Sequence, residues 1–121
     1  MKNLLVVDDS KTILKTAKLV LEDKYNVYLA NSGKMALDIV EKNPIDFVLM
    51  DVDMPEMNGI DAVRAIREIE ALKDLPVIFF TALSSKEIVT DCINVGMSGY
   101  IVKPYKPDVL IEKIKSVLGE N

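Results

Sequence analysis

The sequence reads as a doubly wound α/β protein, a five-stranded parallel sheet flanked by five helices in one domain over residues 1–121. Three observations lead there. Leu4 to Val7, Phe47 to Met50 and Val77 to Phe80 are short apolar runs bounded by turn or polar residues, as expected of strands covered on both faces. The stretches between them carry apolar residues at helical spacing. The two kinds of segment alternate along the chain with short connections, which places helices on both sides of a parallel sheet.

The elements follow in order. Asn3 to Val7 forms the first strand and ends in Asp8-Asp9. Ser10 caps the first helix, whose inward residues are Ile13, Leu14, Ala17, Val20 and Leu21. Val27 to Ala30 is the second strand. Asn31-Ser32-Gly33 opens a helix with Ala36, Leu37 and Val40 on one face, and Asn43-Pro44 breaks it, because the residue before proline is pushed out of the helical region. Phe47 to Met50 is the third strand, running into Asp51 and a loop that holds Pro55 and Gly59. The third helix begins near Gly59, with Val63, Ile66 and Ile69 or Glu70 at the expected spacing. Pro76 begins the fourth strand, where its missing N–H is tolerated, and Val77, Ile78, Phe79 and Phe80 lead into Thr81 at the strand end. Ser85 caps a helix with Ile88, Val89, Cys92 and Ile93 inward, stopped by Gly96. Gly99 to Val102 is the fifth strand and ends in Lys103-Pro104. Pro107 or Asp108 starts the last helix, with Leu110, Ile114, Val117 and Leu118 inward and Gly119 at its end.

Composition narrows the function. With 121 residues, half of them hydrophobic and 28% charged, the chain has enough material for one real core. A net charge of -4 argues against direct nucleic-acid binding, which needs a basic surface. No apolar run reaches bilayer length and the N-terminus lacks a signal-peptide pattern, so no membrane contact and a cytoplasmic location are the simplest expectations. A lone cysteine agrees with a reducing compartment. The absence of histidine removes the commonest general base, zinc ligand and phosphohistidine carrier together.

Four of the five strands deliver polar groups to one edge of the sheet: Asp8 and Asp9, Asp51, Thr81, and Lys103. Open α/β folds place their chemistry at that carboxyl edge. A core strand gains nothing by ending in a carboxylate, and Asp51 stands too far from the next helix to cap it. Converging carboxylates repel unless a proton or a cation neutralises them. An all-oxygen site suits a hard ion, Mg²⁺ first and Mn²⁺ second. A carboxylate nucleophile, a divalent cation, a lysine and a hydroxyl are the parts that stabilise a phosphoryl group in transfer, and no GxxxxGK[ST] or GxGxxG motif signals a nucleotide. The ligand expected is a phosphoryl group carried covalently on Asp51.

Val6-Val7-Asp8-Asp9-Ser10, Asp51-Val52-Asp53-Met54-Pro55-Glu56-Met57-Asn58-Gly59, Thr81-Ala82 and Lys103-Pro104, in that order and at full-domain spacing, resemble the receiver domains of two-component response regulators, of the single-domain, chemotaxis-regulator-like kind. The resemblance implies a flavodoxin-like sheet of order 2-1-3-4-5. It makes Asp51 the phosphoacceptor, Asp9 a direct Mg²⁺ ligand, Asp8 its neighbour acting through water, and the Asp53 carbonyl the third protein ligand. Thr81 and Lys103 match the groups that hold the phosphoryl oxygens, Tyr100 matches an aromatic switch, and the Lys103-Pro104 bond is expected to be cis. The donor would be a sensor histidine kinase or a histidine phosphotransfer protein, since this chain has no histidine of its own. Output would run to a downstream protein through a changed surface at the fourth helix, fifth strand and fifth helix. Catalysis would go no further than self-phosphorylation and slow self-dephosphorylation.

Plainer readings exist for each residue. One acidic residue would suffice to start a helix, whereas Asp8-Asp9 offers two directly after a buried strand. Thr81 and Lys103 gain meaning only as part of the set, and Tyr100 alone could be a half-buried strand aromatic. Cys92 reads as a small core residue, while Met54 and Met57 fit either a partner contact or gap filling. Two other functions compete. Asp51-Val52-Asp53 is the Asp-x-Asp of haloacid-dehalogenase-type phosphatases, but theirs ends the first strand and this chain has no length for a cap. A flavin binder would need a hydroxyl- and glycine-rich phosphate loop where Asp8-Asp9 stands.

Overall fold

The structure, a computed structural model, describes residues 1–120. Strands β1 (Asn3–Val7), β2 (Asn26–Ala30), β3 (Phe47–Met50), β4 (Val77–Thr81) and β5 (Gly99–Val102) form one parallel sheet of order β2-β1-β3-β4-β5. Helices α1 (Lys11–Leu21), α2 (Gly33–Lys42), α3 (Gly59–Glu68), α4 (Lys86–Val95) and α5 (Pro107–Leu118) alternate with them. The fold class and strand order are those expected. Among the described residues no helix is long and apolar enough to cross a membrane.

The sheet separates two cores. One face, with Leu5, Val7, Val48, Met50, Val77 and Phe79, is covered by α2, α3 and α4. The other, with Leu4, Val6, Leu49, Ile78, Phe80 and Ile101, is covered by α1 and α5. β1, β3 and β4 are apolar at nearly every position because both of their faces are covered. Neighbouring residues therefore point to opposite cores.

Local chemistry sets the helix ends as the sequence suggests. The hydroxyls of Ser10, Ser32 and Ser85 accept from the third residue on, as does the Asn58 side chain ahead of Gly59. Gly96 and Gly119 end α4 and α5 in left-handed conformation, at φ of 92° and 70°.

Three expectations need correction. Ile93 points outward, 57% exposed, because α4 buries little beyond Cys92. α3 stops at Glu68, and Ile69 leads into a short 3-10 helix, Glu70–Leu72, that the sequence pattern does not announce. The second strand starts one residue early, at Asn26, which pairs with Asn3. Met54 proves to be a buried core residue, and Met57 packs half-buried against the same core, its sulfur crowding Gly33.

Arg67, near the end of α3, fastens three segments together. Its guanidinium donates to the carbonyls of Leu72 at the end of the 3-10 helix, of Leu75 beyond it and of Gly96 at the end of α4, the last two at 2.6 and 2.7 Å.

Candidate functional site

The strand ends deliver the site because the ladder continues past them. The Asp51 N–H donates to the Val7 carbonyl (2.9 Å), the Asp8 N–H to Ala30 (3.1 Å) and the Lys103 N–H to Thr81 (2.9 Å). Val7 pairs with Met50 and Thr81 with Val102, so each next residue emerges at the same edge. Along each strand Asp8 has the parity of Val6, Asp51 of Leu49 and Lys103 of Ile101, all residues of the α1/α5 core. The alternation thus turns two carboxylates and one ammonium toward each other. Thr81 has the parity of Val77 and Phe79 and belongs to the opposite face.

Asp8, Asp51 and Thr81 are the buried polar side chains of the described residues. Asp8, Asp9 and Asp51 bring one carboxylate oxygen apiece within 4.8 Å of one another, and Asp9 is exposed while the other two are buried. Lys103, only 15% exposed, pairs its ammonium closely with Asp8 Oδ2 and lies 3.5 Å from Asp51 Oδ1. The other Asp8 oxygen accepts from the Ser10 N–H at 2.9 Å.

Burial, and after it the nearby Asp8 charge, push the Asp51 carboxyl up from 3.8 to about 6. Lys103 and the Asp53 main-chain N–H pull the other way and do not offset it. The site therefore carries more negative charge than its single lysine neutralises.

A donor set made only of oxygens, two of its carboxylates buried, fits a hard divalent cation. The Asp53 carboxylate stands outside this cluster and is exposed. What Asp53 gives Asp51 here is its main-chain N–H.

The Thr81 hydroxyl accepts from the Leu83 N–H at 3.1 Å. Tyr100, half-buried on β5, donates its hydroxyl to the Leu83 carbonyl. The Lys103-Pro104 bond is cis. Cys92 lies fully buried in the core, and burial pushes its thiol up to about 11, which suits a packing residue.

Gly59 lets the loop after Asp51 close. A Cβ there would stand 2.0 Å from the Asp51 carbonyl oxygen, and the Gly59 N–H donates to the Val52 carbonyl at 2.9 Å. The sequence marked Gly59 only as a turn residue. It also gave no sign of the Ser10 contact to Asp8, since a main-chain donor leaves no trace in residue type.

The model of the response regulator receiver domain matches residues 4–115. The chain belongs to that family. Among receiver proteins, it is 38% identical to the chemotaxis protein CheY of Pseudomonas aeruginosa, with 94% of each chain covered. It is 40% identical to CheY1 of Helicobacter pylori, with 98% of each covered. The crystal structure of chemotaxis protein CheY4 of Vibrio cholerae superposes with a TM-score of 0.93 at 34% identity, covering 97% of this receiver and 98% of that chain. The resemblance carried by the four short motifs thus extends over the whole receiver fold.

Proposed function

We propose that this receiver is a phosphoacceptor switch in which Asp51 takes a phosphoryl group from a phosphohistidine on a sensor kinase or phosphotransfer protein. The observation that carries this reading is the buried Asp51 carboxylate, held between Asp8 and the ammonium of Lys103. In the transfer, an Asp51 oxygen forms the new bond to phosphorus as the donor P–N bond breaks. The bonding pair leaves with the imidazole.

Asp9 and Asp51, with Asp8 behind them and the Asp53 carbonyl, would hold Mg²⁺ (or Mn²⁺). Bound there, such an ion would supply positive charge to offset that of the phosphoryl oxygens. Lys103 supplies a cation beside the attacking oxygen, and the Thr81 hydroxyl turns from Leu83 to donate to a phosphoryl oxygen. Ser10 and Lys103 occupy both oxygens of Asp8, so Asp8 acts as a brace for Lys103 and as background charge.

The added group brings about -1.5 to -2 charge and strong acceptors. Its reach to Thr81 alters the surface formed by α4, β5 and α5, where a downstream protein binds. The relatives named as chemotaxis proteins support a signalling role of this kind. The reading includes a cytoplasmic location, no nucleic-acid contact, and no turnover of an external substrate.

Incubation with acetyl phosphate and Mg²⁺ tests it. The expected result is a hydroxylamine-labile mass adduct on Asp51. Equal labelling of Asp51→Asn, or undiminished labelling with the metal chelated, overturns the assignment.

A further inference from the structure

The Lys103 ammonium has a third neighbour besides Asp8 and Asp51. Its Nζ lies 4.6 Å from the centroid of the Phe80 ring, over the face. Phe80 precedes Thr81 on β4 and is fully buried in the α1/α5 core beside Leu14, Ala17 and Leu110. Tyr105, two residues past Lys103, packs on the same ring with centroids 6.3 Å apart at 55°. The ring is thus fixed by its core neighbours.

Lysine is a point charge on a flexible stem and has no planar fork to register it against a carboxylate. Two carboxylates attract the ammonium without saying where between them it rests. An aromatic face attracts it too, more strongly where water is excluded, and leaves its charge intact. A third carboxylate would hold the amine but cancel the charge that the phosphoryl oxygens need. An aliphatic side chain would fill the space but set no position.

We infer that Phe80 is a positioning residue for the chemistry at Asp51, using its ring face to hold the Lys103 ammonium at the phosphoryl site. This inference rests on the reading of Asp51 as phosphoacceptor. Phe80 touches no phosphoryl group and acts only through Lys103.

A double-mutant cycle separates this role from simple core filling. Rates of labelling by acetyl phosphate are compared for the parent, Phe80→Leu, Lys103→Met and the double variant. With Lys103 present, Phe80→Leu is expected to slow labelling roughly threefold to tenfold. In the Lys103→Met background it is expected to change nothing further.

Replacing Phe80 with ring-fluorinated phenylalanines keeps the shape and weakens the negative face, so the rate should fall stepwise with fluorination even if the leucine variant folds poorly. Proton spectra of the untreated protein give an independent signature. The Lys103 ε-methylene should be shifted upfield by the ring and return to the ordinary lysine position in Phe80→Leu. Labelling of the parent with no coupling between Phe80 and Lys103, or with no response to fluorination, overturns the positioning role alone. Failure of the parent to label overturns that role together with the phosphoacceptor reading.

Discussion

The hydroxyl of Tyr100 donates to the main-chain carbonyl of Leu83, tying β5 to the loop that leaves β4. The Leu83 N–H in turn donates to Thr81 Oγ1 at 3.1 Å, so one residue links the hydroxyl at the site to the aromatic at the surface.

Recruitment of the Thr81 hydroxyl by phosphoryl oxygens would draw its oxygen away from the Leu83 N–H it now accepts from. Phosphorylation is therefore expected to move the amide resonances of Leu83 and Tyr100 and to turn Tyr100 further inward. Shift changes confined to the loop after Asp51 would count decisively against this. Tyr100→Phe removes the donor and should cost about 0.5–1.5 kcal/mol of stability in the unphosphorylated protein, measured by urea unfolding.

Asp51 gives a pH dependence of definite sign. Its folded carboxyl titrates near 6 against an ordinary 3.8, so between those values the folded state binds more protons than the unfolded chain. Its favourable contribution is complete below the ordinary value and is lost as pH rises through about 6. Asp51→Asn should therefore stabilise the metal-free protein at pH 7 by roughly 3 kcal/mol and have little effect at pH 4. Mg²⁺ should raise the melting temperature of the parent at pH 7 and much less that of the variant. An Asp51→Asn variant less stable than the parent at pH 7 would refute the burial argument.

Gly59→Ala tests the close approach behind Asp51. The new methyl would meet main-chain oxygen, which cannot rotate aside, so the loop and the start of α3 must shift. A loss of about 3 kcal/mol is expected in denaturant unfolding, with slower labelling of Asp51. Parent-like stability would mean that the loop yields freely.

On the phosphoacceptor reading, the lifetime of the aspartyl phosphate would depend on Asp53 and Leu83, which stand two residues after Asp51 and Thr81. The exposed Asp53 carboxylate would add negative charge beside an anionic group, and the Leu83 side chain offers water no hydrogen bond. Asp53→Asn should shorten the lifetime severalfold at neutral pH, about 1 kcal/mol in the barrier. Decay of the phosphorylated protein in excess Mg²⁺ measures it. Slower decay in the variant would mean that Asp53 orients the water instead.

Legibility in the sequence followed burial. β1, β3 and β4 declare themselves because coverage on both faces forces continuous apolar runs, and their ends therefore place Asp8, Asp51 and Thr81 at one edge. Serine caps and left-handed glycines marked half of the helix ends for equally local reasons. α4 misled because it buries so narrow a stripe that its apolar residues, Ile93 among them, do not mark an inner face. The 3-10 helix after α3, the Arg67 fastening and the ring beneath Lys103 depend on partners distant in sequence or on main-chain groups, and no residue pattern encodes them.

The sheet works as a partition with the acidic site at its edge. Lys103 leans on Phe80 on the α1/α5 side, while Thr81, Leu83 and Tyr100 line up on the α2/α3/α4 side. On the phosphoacceptor reading, the ammonium that would assist loading and the aromatic that would report it thus rest on different layers of packing. Repacking around Phe80 beneath α1 would then retune how fast the site loads while leaving the contacts of Leu83 with Thr81 and Tyr100 in place. Thr81, which belongs to the site and also bonds to Leu83, is the residue at which the two would stay coupled.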